Sequence, residues 1–317
     1  MLYDGYFADP FLTRTADGYV ALGTHPRETG APLQFEVLSS PDLLQWTHRG
    51  GALLPLDPAL GDQYWAPEVI ELDGWWWMYY SVGAGIAGHH LRVARSPSPY
   101  GPYQDLGVDL TPGERFAIDP HPFVDRDGAA YVFFARDVLD DERPGTHLAM
   151  APLHDMTRLG PSSEVLRPYA DWQIYEHARP MYDGVYDWHT LEGPSVVRRS
   201  GRYWMTFSGG AWTGPGYAVS WAVADNVRGP WIPAPTEAPA LLSTGPDLVG
   251  PGHNSMVVGP DGDDVIAFHA WDRSLSRREL HLRHIRFGPD RPSVDGPVGG
   301  LSRSAPPPEA GGVPAGG

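Results

Sequence analysis

Apolar residues in this chain fall into short runs, paired across Gly-containing turns. The first run of each pair reads DPFLTRTADG from Asp9, WAPEVIELDG from Trp65, DPHPFVDRDG from Asp119, EGPSVVRRSG from Glu192 and HNSMVVGPDG from His253. A second run follows each turn: YVALGT, WWWMYYS, AAYVFFAR, RYWMTFS and VIAFHA. Apolar runs of this length, divided by Asp-Gly or Ser-Gly, predict β-hairpins. A third run completes every unit, as FEVLSS, LRVARS, HLAMAP, YAVSWAVA and ELHLRHIRF, and the turn-rich stretches behind it predict a short outer fourth strand. Sustained helical periodicity is scarce.

The units recur at intervals of roughly 55 to 75 residues, a spacing that points to a radial repeat. A lone hairpin is unstable in water, so neighbouring units must stack to bury their Trp, Phe and Val side chains. The predicted fold is all-β: a five-bladed β-propeller of four-stranded antiparallel blades around a central axial cavity. Residues 1–301 are expected to form this domain, and the Pro/Gly/Ala-rich residues 302–317 a disordered tail.

In such a fold the first strand of each blade runs nearest the axis. Asp9, Trp65, Asp119, Glu192 and His253 each stand the same distance before their turn, so they are expected on one ring. Turn chemistry accounts for any one acid beside a proline. It gives no reason for three acids and a histidine at one register. Clustered carboxylates raise one another's pKa, which lets one stay protonated near neutral pH while another is ionised.

Composition narrows the partners. A formal charge of −16 over 317 residues disfavours nucleic acid and anionic membranes, because phosphate binding needs clustered cations. Zero cysteine excludes disulfides and thiolate-held metals. The opening MLYDGYFADP has no basic-then-apolar leader pattern, which leads to the expectation of a cytoplasmic protein. Twelve Trp and fifteen Tyr exceed ordinary packing needs, and such rings stack on sugar faces, so a small oligosaccharide is the expected partner; oligomeric state stays open.

The segments ADPF, WAPEV, IDPHPFVDRDG, LEGPSVV with RYWMTFSGG, and GPGHNSMVV together resemble glycoside hydrolase family 43 over nearly the whole chain before the tail. That family comprises five-bladed propellers and contains α-L-arabinofuranosidases, arabinanases and β-xylosidases. The resemblance implies Asp9 as the general base that activates water, Glu192 as the general acid, and Asp119 as the residue that holds Glu192 and raises its pKa. It also implies inversion, with the base and acid about 6.5 to 9.5 Å apart. Invertase-like propellers fit less well: their Asn-Asp-Pro-Asn start and Glu-Cys acid motif are missing.

His253 matches a blade-five histidine that in many relatives lies beneath the sugar and helps hold an axial cation, often calcium, or water. Calcium prefers oxygen ligands, so water would have to complete its shell, and a neutral hydrogen-bonded histidine is the alternative. No cofactor is implied for the chemistry. SRRELHLRHIRF resembles the last-blade segment whose arginine reaches the carboxylates. Arg278 fits by register, with adjacent Arg277 as competitor and an exposed ion pair as the bland alternative. Trp65 is expected to stack on sugar or wall the pocket, and Trp188, just before the acid with His189, to bind substrate. Trp75, Trp76 and Trp77 are expected to pack between blades, Trp212 to serve either purpose, and His269 to be structural.

The insertion YADWQIYEHARPMYDGVYDWHT leads directly into Glu192 and is expected to close one side of the site as a long loop. The expected activity is inverting release of terminal α-L-arabinofuranosyl residues from oligosaccharides. A β-xylosidase or endo-arabinanase is the alternative on the same scaffold, and a carbohydrate-binding propeller without catalysis the alternative of another class.

Overall fold

The computed structural model describes residues 2–25, 32–85 and 87–298; the expected tail at 302–317 lies outside them. The first sheet is β1 (Ala8–Thr15), β2 (Gly18–Thr24), β3 (Glu36–Ser40) and β4 (Thr47–Gly50), antiparallel in that order. The second repeats the order with β5 (Gln63–Leu72), β6 (Trp75–Ala84), β7 (Ala87–Ser96) and β8 (Gln104–Asp109). The third group is β9 (Ala117–Val124), β10 (Ala130–Val138) and β11 (Gly145–His154), with short β12 (Arg158–Leu159) and β13 (Ser163–Leu166) both on the outer edge of β11. After β14 (Ile174–Met181), the fourth group is β15 (Gly184–Arg199), β16 (Arg202–Gly209), β17 (Ala218–Ala224) and β18 (Ile232–Pro233). The last sheet is β19 (Val249–Val258), β20 (Asp264–Trp271), β21 (Arg278–Phe287) and β22 (Pro292–Pro297). Among the described residues the only helical pieces are two single 3-10 turns.

The middle strands read as unbroken apolar runs because both of their faces are covered. On β6, Met78 and Tyr80 pack with Val20, Leu22 and Val37 of the first sheet, whereas Tyr79 packs with Val132 and Phe134 of β10. The opposite face of β10 sends Phe133 toward Met205 and Phe207 of β16. Val219 of β17 meets Ile266 and Phe268 of β20, and Val265 and Ala267 of β20 meet Leu12, Ala21 and Leu38 of the first sheet. The contacts thus close into a cycle. Its inner edge is the series β1, β5, β9, β15, β19, in which each strand lies beside the next and the last beside the first.

Three expectations change. The third and fourth groups are not separate four-stranded sheets. Parallel pairing of Gly145 with His189 and of Thr146 with Thr190 joins β11 to β15 and makes one ten-stranded sheet. The insertion before Glu192 is no loop either: β14 and the first half of β15 form a hairpin closed by Met181 and Gly184. The apolar pattern hid it, because its cavity-lining residues, Tyr175, Arg179, Met181 and Trp188, form no aliphatic run. Of the three consecutive tryptophans, Trp76 and Trp77 pack between sheets. Trp75 does not; it is the first residue after the turn, 38% exposed at the rim, with the Arg95 guanidinium 4.5 Å over its ring.

Candidate active site

Every inner strand carries a bulge whose central residue has positive φ: Asp9 (50°), Ala66 (47°), Asp119 (58°), Gly193 (56°) and His253 (46°). Asp and His tolerate the left-handed region better than most residues, and Gly tolerates it freely. Such a bulge re-aims side chains and frees a backbone N–H from the ladder. Buried, that N–H needs a new acceptor. In four of the five bulges a neighbouring group of strands supplies it. The Asp9 N–H donates to His269 Nδ1 (3.1 Å), Ala66 to Thr24 Oγ1 (2.9 Å), Gly193 to Asp119 Oδ2 (2.9 Å) and His253 to Ser208 Oγ (2.7 Å).

The ring expected from counting back to the turn therefore holds at Asp9, Asp119 and His253, and is offset by one residue at Trp65 and Glu192. In the first sheet the turn glycine, Gly18, already pairs with Thr15, whereas Gly74 and Gly201 are second residues of two-residue turns. Counting from glycine consequently lands one position early in those two units.

All seven sequence-selected residues, Asp9, Trp65, Asp119, Trp188, Glu192, His253 and Arg278, line one cavity of about 800 Å³. Arg278 at the start of β21 is the arginine that enters: its Nη1 donates to Asp9 Oδ1 (3.2 Å) and its Nε to the Tyr6 hydroxyl (2.6 Å). Trp212 faces this guanidinium at 4.8 Å and stacks on Trp271. Arg277 turns outward to Asp4 and Glu279. His253 Nδ1 lies 3.5 Å from Asp9 Oδ1 and 3.7 Å from Asp119 Oδ2. Trp65 walls the cavity with one face covered by His89, 3.6 Å away. Trp188 is only 2% exposed, enclosed by Tyr182, Tyr186 and Arg179 of its own hairpin. His189 points away, toward Arg143.

The three buried acids are driven apart electrostatically. Burial alone would raise Asp9, but the Arg278 guanidinium, with His253 and His269, holds its carboxyl well below the usual carboxylate range. Burial, then the charges of Glu192 and Asp9, push Asp119 well up, against a smaller opposing effect of the Gly193 N–H. Burial raises Glu192 to about 7, with Asp9 adding to the rise and the Tyr217 hydrogen bond and Arg278 opposing it. One cation cannot keep three buried carboxyls ionised. Near neutral pH the site thus holds an ionised Asp9 and a proton on the Asp119 and Glu192 pair.

Four contributors escaped the sequence. Tyr217 donates to Glu192 Oε1 at 2.6 Å. His269, expected as merely structural, accepts the Asp9 N–H and stands 3.3 Å from Asp9 Oδ1; burial lowers its pKa to about 4, so it is neutral. His121, two residues past Asp119, accepts the Val196 N–H on Nε2 (3.0 Å), which leaves Nδ1 to donate to Glu68 at 2.6 Å. Asp137 lines the cavity and pins the insertion hairpin by accepting from Tyr182 (2.6 Å) and Thr146 (3.0 Å). Only His121 carried a sequence signal, its place in the DPHP segment.

A calcium ion at the axis would take His253 through Nε2, since Nδ1 is turned to the carboxylates. Among the described residues no set of three His, Asp or Glu ligand atoms gathers around that atom, so water would have to supply much of the shell. The ligand atoms that do cluster, from Asp261, Asp263 and His284, lie at the β19–β20 turn, away from the cavity.

Residues 2–291 match the sequence profile described as "Glycosyl hydrolases family 43". The chain is 30% identical over 289 residues to the "Beta-D-galactofuranosidase xynD" of Aspergillus niger, covering 84% of this chain and 75% of that one. It is 28% identical over 221 residues to the "Extracellular exo-alpha-(1->5)-L-arabinofuranosidase" of Streptomyces chartreusis, covering 65% of this chain and 62% of that one. The crystal structure of a thermostable family-43 glycoside hydrolase superposes with a TM-score of 0.79 at 27% identity, covering 95% of both chains.

These relatives correct one expectation. The Streptomyces chartreusis protein is named extracellular, as are relatives in Streptomyces avermitilis and Bacillus subtilis, which overturns the cytoplasmic assignment. A secretory leader is cleaved off and leaves no trace in the folded domain, so the opening MLYDGYFADP was no guide to compartment. With the profile match spanning almost every described residue and the expected acids meeting in one cavity, the chain belongs to glycosyl hydrolases family 43 and is a glycoside hydrolase.

Proposed function

We propose that this enzyme is a five-bladed β-propeller that removes terminal α-L-arabinofuranosyl residues from oligosaccharides with inversion. The closed cycle of five inner strands supports the blade count, the joined third and fourth groups being two blades fused by β11 and β15. One observation carries the mechanism: a single cavity holds Asp9 paired with Arg278 and Glu192 bonded to Tyr217, surroundings that keep the first ionised and raise the second to about 7.

In this reading Glu192 gives its proton to the glycosidic oxygen as the bond to the anomeric carbon breaks. Asp9 takes a proton from the water that attacks the opposite face. Arg278 keeps Asp9 ionised and fixes its orientation. Asp119 positions the acid through the backbone, by accepting the Gly193 N–H directly after it. No step passes through a metal. Calcium on His253, with a water shell, would add positive charge beneath the sugar, and thermal unfolding with and without added calcium tests whether an ion is held there.

The substrate assignment rests on the named furanosidases among the relatives. The insertion hairpin, which lines the cavity with Tyr175, Arg179, Met181 and Trp188, favours attack at chain ends. A second reading, β-D-galactofuranoside, is favoured by the Aspergillus niger relative; that sugar shares the ring configuration of α-L-arabinofuranose and differs at the exocyclic carbon. Nitrophenyl α-L-arabinofuranoside, β-D-galactofuranoside and β-D-xylopyranoside should be compared, with the anomeric proton followed early in the reaction. Preferred cleavage of the xyloside would reject the furanoside reading. A first product of unchanged configuration would reject inversion.

A further inference from the structure

We propose that Tyr217 is the positioning residue of the acid: it holds Glu192 Oε1, so that the transferable proton resides on Oε2. This inference rests on the reading of Glu192 as general acid.

Tyr217 stands directly before β17 and is almost wholly buried. Its hydroxyl donates to Glu192 Oε1 at 2.6 Å. The ring has little freedom. On one side it stacks on His269, with centroids 5.7 Å apart and planes inclined by 13°. It also lies so close to the backbone of β19 that a Cβ at Gly252 would overlap it. Gly252 is thus required by the tyrosine, not by its own backbone angles.

A phenol is a donor here, and burial with the nearby Glu192 charge pushes its pKa further up, so it keeps its proton. In a neutral carboxyl group the carbonyl oxygen is the better acceptor. The oxygen that receives Tyr217 is accordingly the carbonyl, and the hydroxyl is Oε2. When Oε2 passes its proton to the leaving oxygen, negative charge spreads to Oε1 and the phenol bond becomes charge-assisted and stronger. An interaction that strengthens as the proton departs lowers the barrier rather than merely tightening binding. His269 meanwhile accepts the Asp9 N–H, so one stacked pair of rings supports the base on one side and the acid on the other.

The test uses one sugar with two leaving groups: nitrophenol, which departs with little help, and an unactivated sugar alcohol, which needs the acid. Tyr217→Phe should lower kcat/KM about 10-fold for the unactivated glycoside and less than about 3-fold for the nitrophenyl one. It should also move the falling limb of the pH profile upward. Tyr217→3,5-difluorotyrosine, a stronger donor of nearly the same shape, should move that limb downward. Equal losses on both substrates with an unmoved limb would overturn the inference. Glu192→Gln separates the two readings: if it shows the leaving-group split and Tyr217→Phe does not, only the role of Tyr217 fails. If Glu192→Gln itself shows no split, the acid assignment fails and this inference with it.

Discussion

Glu192→Gln should stabilise the protein at alkaline pH while removing most of its activity. The glutamate is partly buried in the cavity wall, and its pKa rises from 4.5 to about 7 on folding. Below 4.5 the carboxyl is protonated in both states, and burial carries no electrostatic penalty. As pH rises from 4.5 toward 7, the unfolded chain ionises and the folded one does not, so stability falls; above 7 the loss is complete. A displacement of roughly 2.5 pH units at about 1.4 kcal/mol per unit makes that loss about 3 kcal/mol. Glutamine keeps an oxygen to accept the Tyr217 hydroxyl but cannot ionise, and it relieves Asp119 of its most repulsive neighbour. At about 2 °C per kcal/mol for a chain of this size, the variant should melt about 6 °C above the parent at pH 8.5 and within about 1 °C of it at pH 4. Thermal unfolding of both proteins across this range is the assay. A difference that stays flat with pH, or a variant less stable at pH 8.5, would refute the claim that burial imposes a protonated acid here.

The same electrostatics predicts that kcat/KM falls as pH rises through about 7, where Glu192 loses its proton, with no rising limb above pH 5 because Asp9 is already ionised; a bell with both limbs near neutrality would count against Asp9 as the base. Asp9→Asn should lower kcat by about 10³-fold or more. Unlike Glu192→Gln it should also destabilise, by about 3 kcal/mol in urea unfolding, because it strips the buried Arg278 of its counter-charge. Gly252→Ala should destabilise by about 2 kcal/mol through overlap with Tyr217, and a neutral result would mean that the ring can move aside.

The sequence by itself determined the strands and the acids. Runs such as WWWMYYS and AAYVFFAR are apolar on both faces because a sheet lies on either side, so local pattern reports the stacking directly. Asp9, Asp119, Glu192 and His253 were legible because each stands nine positions before the glycine of a turn. The nature of the insertion and the union of the third and fourth groups were not readable in that way. A parallel pair such as Gly145 with His189 leaves no mark in either local pattern.

Only the tertiary structure decided how the acids differ. Asp9, Asp119 and Glu192 are the same chemical group, and nothing within ten residues of any of them sets its pKa. The separation comes chiefly from Arg278, 269 positions from Asp9 on the last sheet, while Tyr217 reaches Glu192 from 25 positions away and His269 reaches Asp9 from a neighbouring sheet. Local sequence fixes which backbone can bulge and which faces are apolar, because those forces act between near neighbours. Protonation in a buried cavity is set by every charge and donor that the closed ring of sheets brings within a few ångströms, and that set exists only after folding.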